Sequence, residues 1–142
     1  IKKQLDELTS AQKTASKTVV QGRRSVILLV DDNPAVIKLL SSYLNVKGYQ
    51  VITAHNGIQA VDKSREAHPD LILMDIQMPS MDGLEATRRI RADAKIAAIP
   101  IIALTALVMP GNQERCWEVG MNGYFSKPVS LQALIAAIEE FL

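Results

Sequence analysis

The sequence contains a single cysteine, Cys116, few aromatic residues and no long hydrophobic run. One cysteine excludes an internal disulfide framework and any zinc site built from several cysteines, and it fits a reducing cytoplasm. The longest apolar runs, such as Val26–Val30, are far shorter than the ~20 residues of a membrane-spanning helix. The N-terminal residues also lack the apolar core of a signal peptide. We therefore expect a cytoplasmic location and no membrane contact by this segment, with any membrane anchor of a parent protein elsewhere.

The 142 residues are enough for one domain, and their 48% hydrophobic and 22% charged residues are typical of a globular chain. Residues 1–24 carry six Lys or Arg and two Asp or Glu, whereas residues 25–142 carry ten and thirteen. A basic leader can indicate nucleic-acid binding, but this leader has no aromatic residue and no docking module, so we expect none. We interpret 1–24 as the end of an upstream helix followed by a linker, and 25–142 as the domain. Because the chain begins with Ile1 rather than Met, we expect a longer parent protein.

The domain alternates five times between a predicted strand and a predicted helix. Apolar runs such as Val26–Val30 and Leu71–Met74 are typical of strands buried on both faces of a parallel sheet. Asn33, Pro34 and Ser130 are residues that favour helix starts. The predicted strands are 26–30, 49–54, 71–74, 100–104 and 121–125, and the predicted helices are 34–47, 56–68, 84–92, 110–119 and 130–142. Because right-handed crossovers allow few topologies, the pattern predicts an α/β fold with a doubly wound, five-stranded parallel sheet.

Charged and polar side chains follow the predicted strands. Asp31 and Asp32 come after the first strand, Asp75 after the third and Thr105 after the fourth, and Lys127 lies just beyond the fifth. Strand-to-helix loops open at one edge of such a sheet, where doubly wound folds bind ligands, so these side chains should converge. Aspartate also caps helices, which could explain one carboxylate taken alone. It explains Asp75 poorly, because the next predicted helix begins too far along the chain.

Three neighbouring carboxylates require a bound cation or a proton. Two unit charges ~4 Å apart repel by about 4 kcal/mol at an effective dielectric constant of ~20. An all-oxygen cluster without His or Cys selects a hard ion such as Mg²⁺, which takes one or two carboxylates together with phosphate oxygens. A remaining carboxylate is a nucleophile that needs no general base. The metal, the Lys127 ammonium and the Thr105 hydroxyl could neutralise phosphoryl oxygens, so the pattern indicates phosphoryl chemistry.

Four segments resemble the signatures of response-regulator receiver domains. They are ILLVDDNP at 27–34, LILMDIQMPSMDG at 71–83, ALTA at 103–106 and YFSKP at 124–128. Each segment alone is weakly specific, but their joint order and spacing are highly specific. The resemblance covers 25–142 and implies a flavodoxin-like fold with strand order 2-1-3-4-5 and five helices.

The same resemblance implies roles at the acidic site. Asp75 would be the phosphoacceptor, taking a phosphoryl group from a phosphohistidine of a partner. Asp32 would bind Mg²⁺ directly and Asp31 would bind it through water. Asp75 and the backbone carbonyl of Gln77 would complete the protein ligands.

A switch is also implied. Lys127 would pair with the phosphoryl oxygens, and the Thr105 hydroxyl would share a hydrogen bond with them once phosphate arrives. Tyr124 stands at the position of the family's switch aromatic and would then turn inward, changing the surface formed by the fourth helix and the fifth strand. Lys127–Pro128 resembles the family's cis-proline turn.

The resemblance also bears on the parent protein. Residues 103–130 are more similar to receivers of hybrid sensor histidine kinases than to those of DNA-binding regulators. We therefore expect the C-terminal receiver of a hybrid histidine kinase. Its donor or acceptor would be the phosphohistidine domain of a kinase, a histidine phosphotransfer domain, or both. A stand-alone regulator and a receiver from another multidomain regulator remain alternatives.

Three other protein classes share part of this pattern. A haloacid-dehalogenase-like phosphatase also uses a strand-end aspartate and Mg²⁺, but it needs a second aspartate where this chain has Gln77. A flavodoxin-like or nucleotide-binding module needs a phosphate-binding loop rich in Gly, Ser or Thr, whereas 31–34 is Asp-Asp-Asn-Pro and no glycine-rich phosphate motif occurs. A phosphorylation-independent scaffold with the same fold is disfavoured because all five functional positions are intact.

Overall fold

The computed structural model of the protein describes residues 19–20, 23–106 and 110–142. The strands of its main sheet are β1 (Val26–Val30), β2 (Gln50–Ala54), β3 (Leu71–Asp75), β4 (Ile101–Thr105) and β5 (Gly123–Ser126). The helices are α1 (Pro34–Val46), α2 (Gly57–Ala67), α3 (Gly83–Ala92), α4 (Asn112–Glu118) and α5 (Leu131–Phe141). All neighbouring strands are parallel and lie in the order β2-β1-β3-β4-β5, so the predicted doubly wound topology is confirmed.

The sheet has a buried centre and two partly exposed edges. Every residue of β3 and β4 is buried, and so are the last four residues of β1. These strands lie between two others and are covered by helices on both faces, which is why they consist of continuous apolar runs. The edge strands β2 and β5 keep residues of intermediate exposure.

Alternate residues of β1 point into two separate cores, as the period of a strand requires. Ile27 and Leu29 pack in the cluster that contains the buried residues of α1 and α5, namely Leu40, Leu44, Leu134 and Ile138. Leu28 and Val30 pack in the cluster formed with α2, α3 and α4, which includes Ala60, Val61, Leu84, Ile90 and Cys116. Two helices therefore cover one face of the sheet and three cover the other.

Side-chain caps set the points at which four helices begin. Asn33, Asn56, Asp82 and Ser130 accept hydrogen bonds from the backbone N–H groups of Ala35, Gln59, Glu85 and Ala133, respectively. Each cap satisfies one of the free N–H groups in the first turn of its helix. The predicted caps Asn33 and Ser130 are confirmed, and Asn56 and Asp82 are caps that the sequence pattern did not single out.

The predicted α4 was too long at both ends, and the predicted β5 began two residues too early and ended one residue too early. The helix begins at Asn112 rather than at residue 110, because Gly111 has a φ of 83° that a helix cannot continue through. The strand begins at Gly123 rather than at residue 121. The side chain of Asn122, just before it, accepts hydrogen bonds from the backbone N–H of Ile101 and from Arg91.

A short antiparallel pair precedes the sheet within the predicted linker. Val19–Val20 pairs with Arg23–Arg24, and the Arg24 guanidinium donates hydrogen bonds to the carbonyl oxygens of Gly48 and Tyr49. Most of 1–24 lies outside the described residues, so the linker remains a prediction. Among the described helices, none is both long enough and apolar enough to cross a membrane.

Candidate functional site

The carboxyl edge of the sheet brings polar side chains together. Asp75 is the last residue of β3 and Thr105 the last residue of β4, while Asp31 directly follows β1. The parallel register pairs Val30 with Met74, which sets Asp31 and Asp75 side by side on neighbouring strands. The backbone N–H of Asp31 still donates to the carbonyl of Ala54, so this aspartate is held as an extension of β1.

Three carboxylates form a cluster at this edge. Asp31, Asp32 and Asp75 each offer an oxygen, and these oxygens lie within 4.8 Å of one another. Asp31 and Asp75 are buried, and Asp32 is exposed. The predicted convergence of the three aspartates is therefore present in the structure.

Lys127 places a positive charge among the carboxylates. Its Nζ lies 2.6 Å from Oδ2 of Asp31 and 3.6 Å from Oδ2 of Asp75. The backbone N–H of Lys127 donates to the carbonyl of Thr105 at 2.8 Å, and the Lys127–Pro128 peptide bond is cis. Lys127 thus reaches the cluster from the loop after β5, as the positions of the polar residues after the strands predicted.

The charge balance of the cluster favours a divalent cation. Burial, and next the charge of Asp31, raise the pKa of Asp75 from 3.8 to about 6, although Lys127 and the backbone N–H of Gln77 act to lower it. One ammonium therefore does not compensate the carboxylates fully. Closely spaced carboxylate oxygens open to a cleft are the donors that Mg²⁺ prefers. The residues present fit this ion.

The cluster opens into a cleft of about 480 Å³. The cleft is lined by Asp31, Asp32, Asn33, Asp75, Gln77, Met78, Pro79, Ala106 and Lys127. Thr105 and Tyr124 are not among these lining residues. Thr105 is fully buried behind the cleft, and Tyr124 is partly buried against the core cluster of α2, α3 and α4. The structure thus brings five of the seven predicted site residues to the cleft.

An apolar groove of about 450 Å³ adjoins the cleft, and the sequence did not reveal it. It is lined by Val36, Leu39, Leu40, Leu104, Ala106, Lys127, Pro128, Val129 and Leu131. Ala106 and Lys127 line both cavities. Leu39 is 60% exposed, although the next residue of α1, Leu40, is buried.

Comparison with known proteins identifies the family. A family model described as the response regulator receiver domain matches residues 27–139. The chain belongs to this family. The predicted family and fold class are both confirmed.

Three relatives illustrate the range of receiver domains similar to this one. The polar-differentiation response regulator DivK of Brucella ovis is 41% identical over 116 residues, which cover 82% of this chain and 94% of the relative. A second relative is the receiver domain of sensor histidine kinase PA1611 from Pseudomonas aeruginosa PAO1, whose structure has a magnesium ion coordinated in the active site cleft. It is 40% identical, with a TM-score of 0.77, and the match covers 82% of this chain and 96% of that chain. The chemotaxis protein CheY4 of Vibrio cholerae is 30% identical with a TM-score of 0.78, covering 83% and 98%.

The family defines the general chemistry of the site. Receiver domains are phosphoacceptors, typically bind Mg²⁺ in an acidic pocket and interact with histidine kinases or phosphotransfer proteins. The relatives include both a response regulator little longer than this domain and the receiver of a sensor histidine kinase.

Proposed function

We propose that this receiver domain accepts a phosphoryl group on Asp75 from a phosphohistidine of a partner protein. In this proposal Mg²⁺ is held by Asp32 and Asp75 directly, by Asp31 through water and by the backbone carbonyl of Gln77. The observation that carries the proposal is the cluster of three carboxylates within 4.8 Å, with the Lys127 ammonium beside it in an open cleft.

Asp75 is held in an orientation suited to a nucleophile. Its Oδ1 accepts a hydrogen bond from the backbone N–H of Gln77 at 3.2 Å, while its Oδ2 faces Lys127 at 3.6 Å. An ionised carboxylate attacks phosphorus without a general base, so orientation and charge neutralisation are the main requirements. Bound Mg²⁺ supplies neutralisation of the phosphoryl oxygens. Lys127 supplies a second positive charge, because a phosphoryl group on Asp75 would lie within its reach.

The proposed switch connects Thr105 with Tyr124. Thr105 ends β4 next to the cleft, and Tyr124 lies on β5, where it pairs with Ala103. A phosphoryl group adds about −1.5 to −2 charges and three acceptor oxygens to the cleft. We propose that the Thr105 hydroxyl then donates to a phosphoryl oxygen, that Tyr124 turns further inward, and that the surface of α4 and β5 changes as a result.

The apolar groove gives the partner a place to bind. It adjoins the cleft and shares Lys127 with it, so a protein docked there would have its surface next to Asp75. The exposed Leu39 offers apolar area that an amphipathic helix could bury. We propose that a helix of the phosphohistidine protein, from a kinase or a histidine phosphotransfer domain, occupies this groove during transfer.

The acceptor is tested with a small phosphodonor. Acetyl phosphate and Mg²⁺ should add the mass of one phosphoryl group to the wild type, and Asp75→Asn should abolish this gain. Asp82→Asn is the matched control, because Asp82 caps α3 outside the cluster and asparagine is an equally good cap. A wild type that gains no mass would favour the phosphorylation-independent scaffold, and a gain that persists in Asp75→Asn would contradict the assignment of the acceptor.

The docking groove is tested separately with a phosphorylated histidine phosphotransfer protein that transfers to the wild type. Leu39→Asp should slow this transfer about tenfold or more but leave the reaction with acetyl phosphate unchanged, because Leu39 takes no part in the chemistry. Val46→Asp is the matched control, since Val46 is 83% exposed at the far end of the same helix. Equal transfer rates for the two variants would contradict docking in the groove.

We propose a hybrid histidine kinase as the parent protein, with 25–142 as its C-terminal receiver, 1–24 as a linker and a cytoplasmic location for the domain. The 40% identity to the receiver of a sensor histidine kinase supports this context. The 41% identity to DivK supports the alternative of a stand-alone regulator. Sequencing the parent gene on both sides of this segment distinguishes a hybrid kinase from a stand-alone regulator, because only the hybrid kinase would encode a kinase core upstream.

A further inference from the structure

We propose that Gly57, the first residue of α2, is a positioning residue for the acidic site. It lies outside the cleft, and its effect is exerted on the loop of residues 76–82, which carries Gln77. This inference rests on the proposed role of the Gln77 carbonyl as a metal ligand. Because Gly57 has no side chain, the loop can lie close to α2, and this position of the loop sets where the metal site lies.

The contact between Gly57 and the loop leaves no room for a side chain. The backbone N–H of Gly57 donates to the carbonyl oxygen of Met81 at 3.0 Å. A methyl group on Gly57 would overlap that same oxygen and would lie 2.8 Å from Cγ of Met81. Gly57 is helical, so its backbone conformation does not require glycine. Glycine is required here because two stretches of backbone approach each other closely.

The loop is fixed at its other end by a second glycine contact. The N–H of Gly83 donates to the carbonyl of Ile76 at 2.8 Å, and a methyl group on Gly83 would overlap the carbonyl oxygen of Asp75. Between these contacts the N–H of Gln77 donates to the Asp75 carboxylate. A loop of seven residues held at both ends transmits a displacement at Met81 to the neighbourhood of Gln77.

If a methyl group were added at Gly57, the loop would move rather than the helix. Helix α2 is held at its start by the Asn56 cap and by the Gln59 side chain, which accepts from the N–H of His55. Its residues Ala60 and Val61 are buried in the core. The loop offers less resistance, because Gln77, Pro79 and Ser80 are exposed. Ser80 also has a φ of 70°, a left-handed conformation that persists only while the surrounding structure imposes it.

The test compares Mg²⁺-dependent thermal stabilisation of the wild type and Gly57→Ala. A ligand that binds only the folded state raises the melting temperature, and the rise grows with the logarithm of one plus the ratio of the ligand concentration to Kd. Titration with MgCl₂ should stabilise the wild type, and Gly57→Ala should need at least tenfold more MgCl₂ for the same rise. Met81→Ala, which removes the side chain packed on Gly57, perturbs the contact from the loop and should weaken binding by a smaller factor. Met81→Ala is the test variant if Gly57→Ala does not fold.

A structural control separates positioning from general destabilisation. Ile138→Val removes one methyl group from the opposite core, lowers the melting temperature and should leave the Mg²⁺-dependent rise unchanged. If Gly57→Ala and Met81→Ala both show the same Mg²⁺-dependent rise in melting temperature as the wild type, this inference is overturned and the proposed function stays intact. The absence of any rise in the wild type would overturn the metal site itself and, with it, this inference.

Discussion

Replacing Asp75 with asparagine should stabilise the metal-free domain near neutral pH. The Asp75 side chain is only 7% exposed, and burial together with Asp31 raises its pKa to about 6. A raised pKa means that folding disfavours the ionised form, because the unfolded chain returns the carboxylate to water. Asparagine has the same size and no charge, so Asp75→Asn removes this unfavourable ionisation.

The size of the effect follows from the difference in pKa. A rise from 3.8 to about 6 is roughly two units, and each unit corresponds to about 1.36 kcal/mol. This rise is already the net of burial and Asp31, which raise the pKa, and of Lys127, which lowers it. We therefore expect Asp75→Asn to raise the free energy of unfolding by about 1 to 3 kcal/mol.

The pH dependence has a definite sign. Above pH 6 the folded wild type carries the full cost of an ionised Asp75, and this cost decreases as the pH falls from about 6 to about 4. The stability of the wild type should therefore approach that of Asp75→Asn across this window. Below about pH 4 the carboxyl is protonated in both the folded and the unfolded state, so the advantage of the variant disappears.

Urea denaturation in EDTA, followed by far-ultraviolet circular dichroism, measures these differences. The Asp82→Asn variant is the control for removing an acidic charge outside the cluster. A metal-free Asp75→Asn domain that is no more stable than the wild type near neutral pH would refute the reasoning. Saturating Mg²⁺ should reverse the order, because the wild type then gains binding free energy that the variant largely lacks.

The remaining predictions concern the metal and the core. The Mg²⁺ affinity measured by calorimetry should rise as the pH increases past about 6, because a protonated Asp75 is a poor metal ligand. An affinity independent of pH would contradict this prediction. Arg91→Ala should lower the free energy of unfolding by about 2 to 4 kcal/mol, because the guanidinium donates hydrogen bonds to three carbonyl oxygens and to Asn122. These contacts lie far from the cleft, so the Mg²⁺-dependent rise in melting temperature should not change. An unchanged urea midpoint would be evidence against this prediction. Ile72→Ala should cost about 2 to 5 kcal/mol in the same denaturation assay, because Ile72 is fully buried in β3, and a loss below that range would indicate a core that relaxes around the cavity.

The sequence was sufficient for the fold because its local patterns agree with one another. Runs such as Val26–Val30 and Leu71–Met74 are apolar throughout, and in a small parallel sheet this composition is typical of strands covered on both faces. The bounds of α4 were less predictable, because they depend on the backbone conformation of Gly111 rather than on hydrophobic spacing. The exposure of Leu39 could not be predicted, since helical spacing does not tell which side chains of an apolar face the neighbouring elements leave uncovered.

The sequence by itself determined the fold and the convergence of the site, because parallel strands carry their carboxyl ends, and the residues that follow them, to the same edge of a sheet. Tertiary structure alone decided the distances between Lys127 and the aspartates, the burial that raises the pKa of Asp75, and the contact of Gly57 with Met81. These quantities arise between residues far apart in the chain. They depend on how closely loops and helices approach in three dimensions, which no local pattern of residue types encodes.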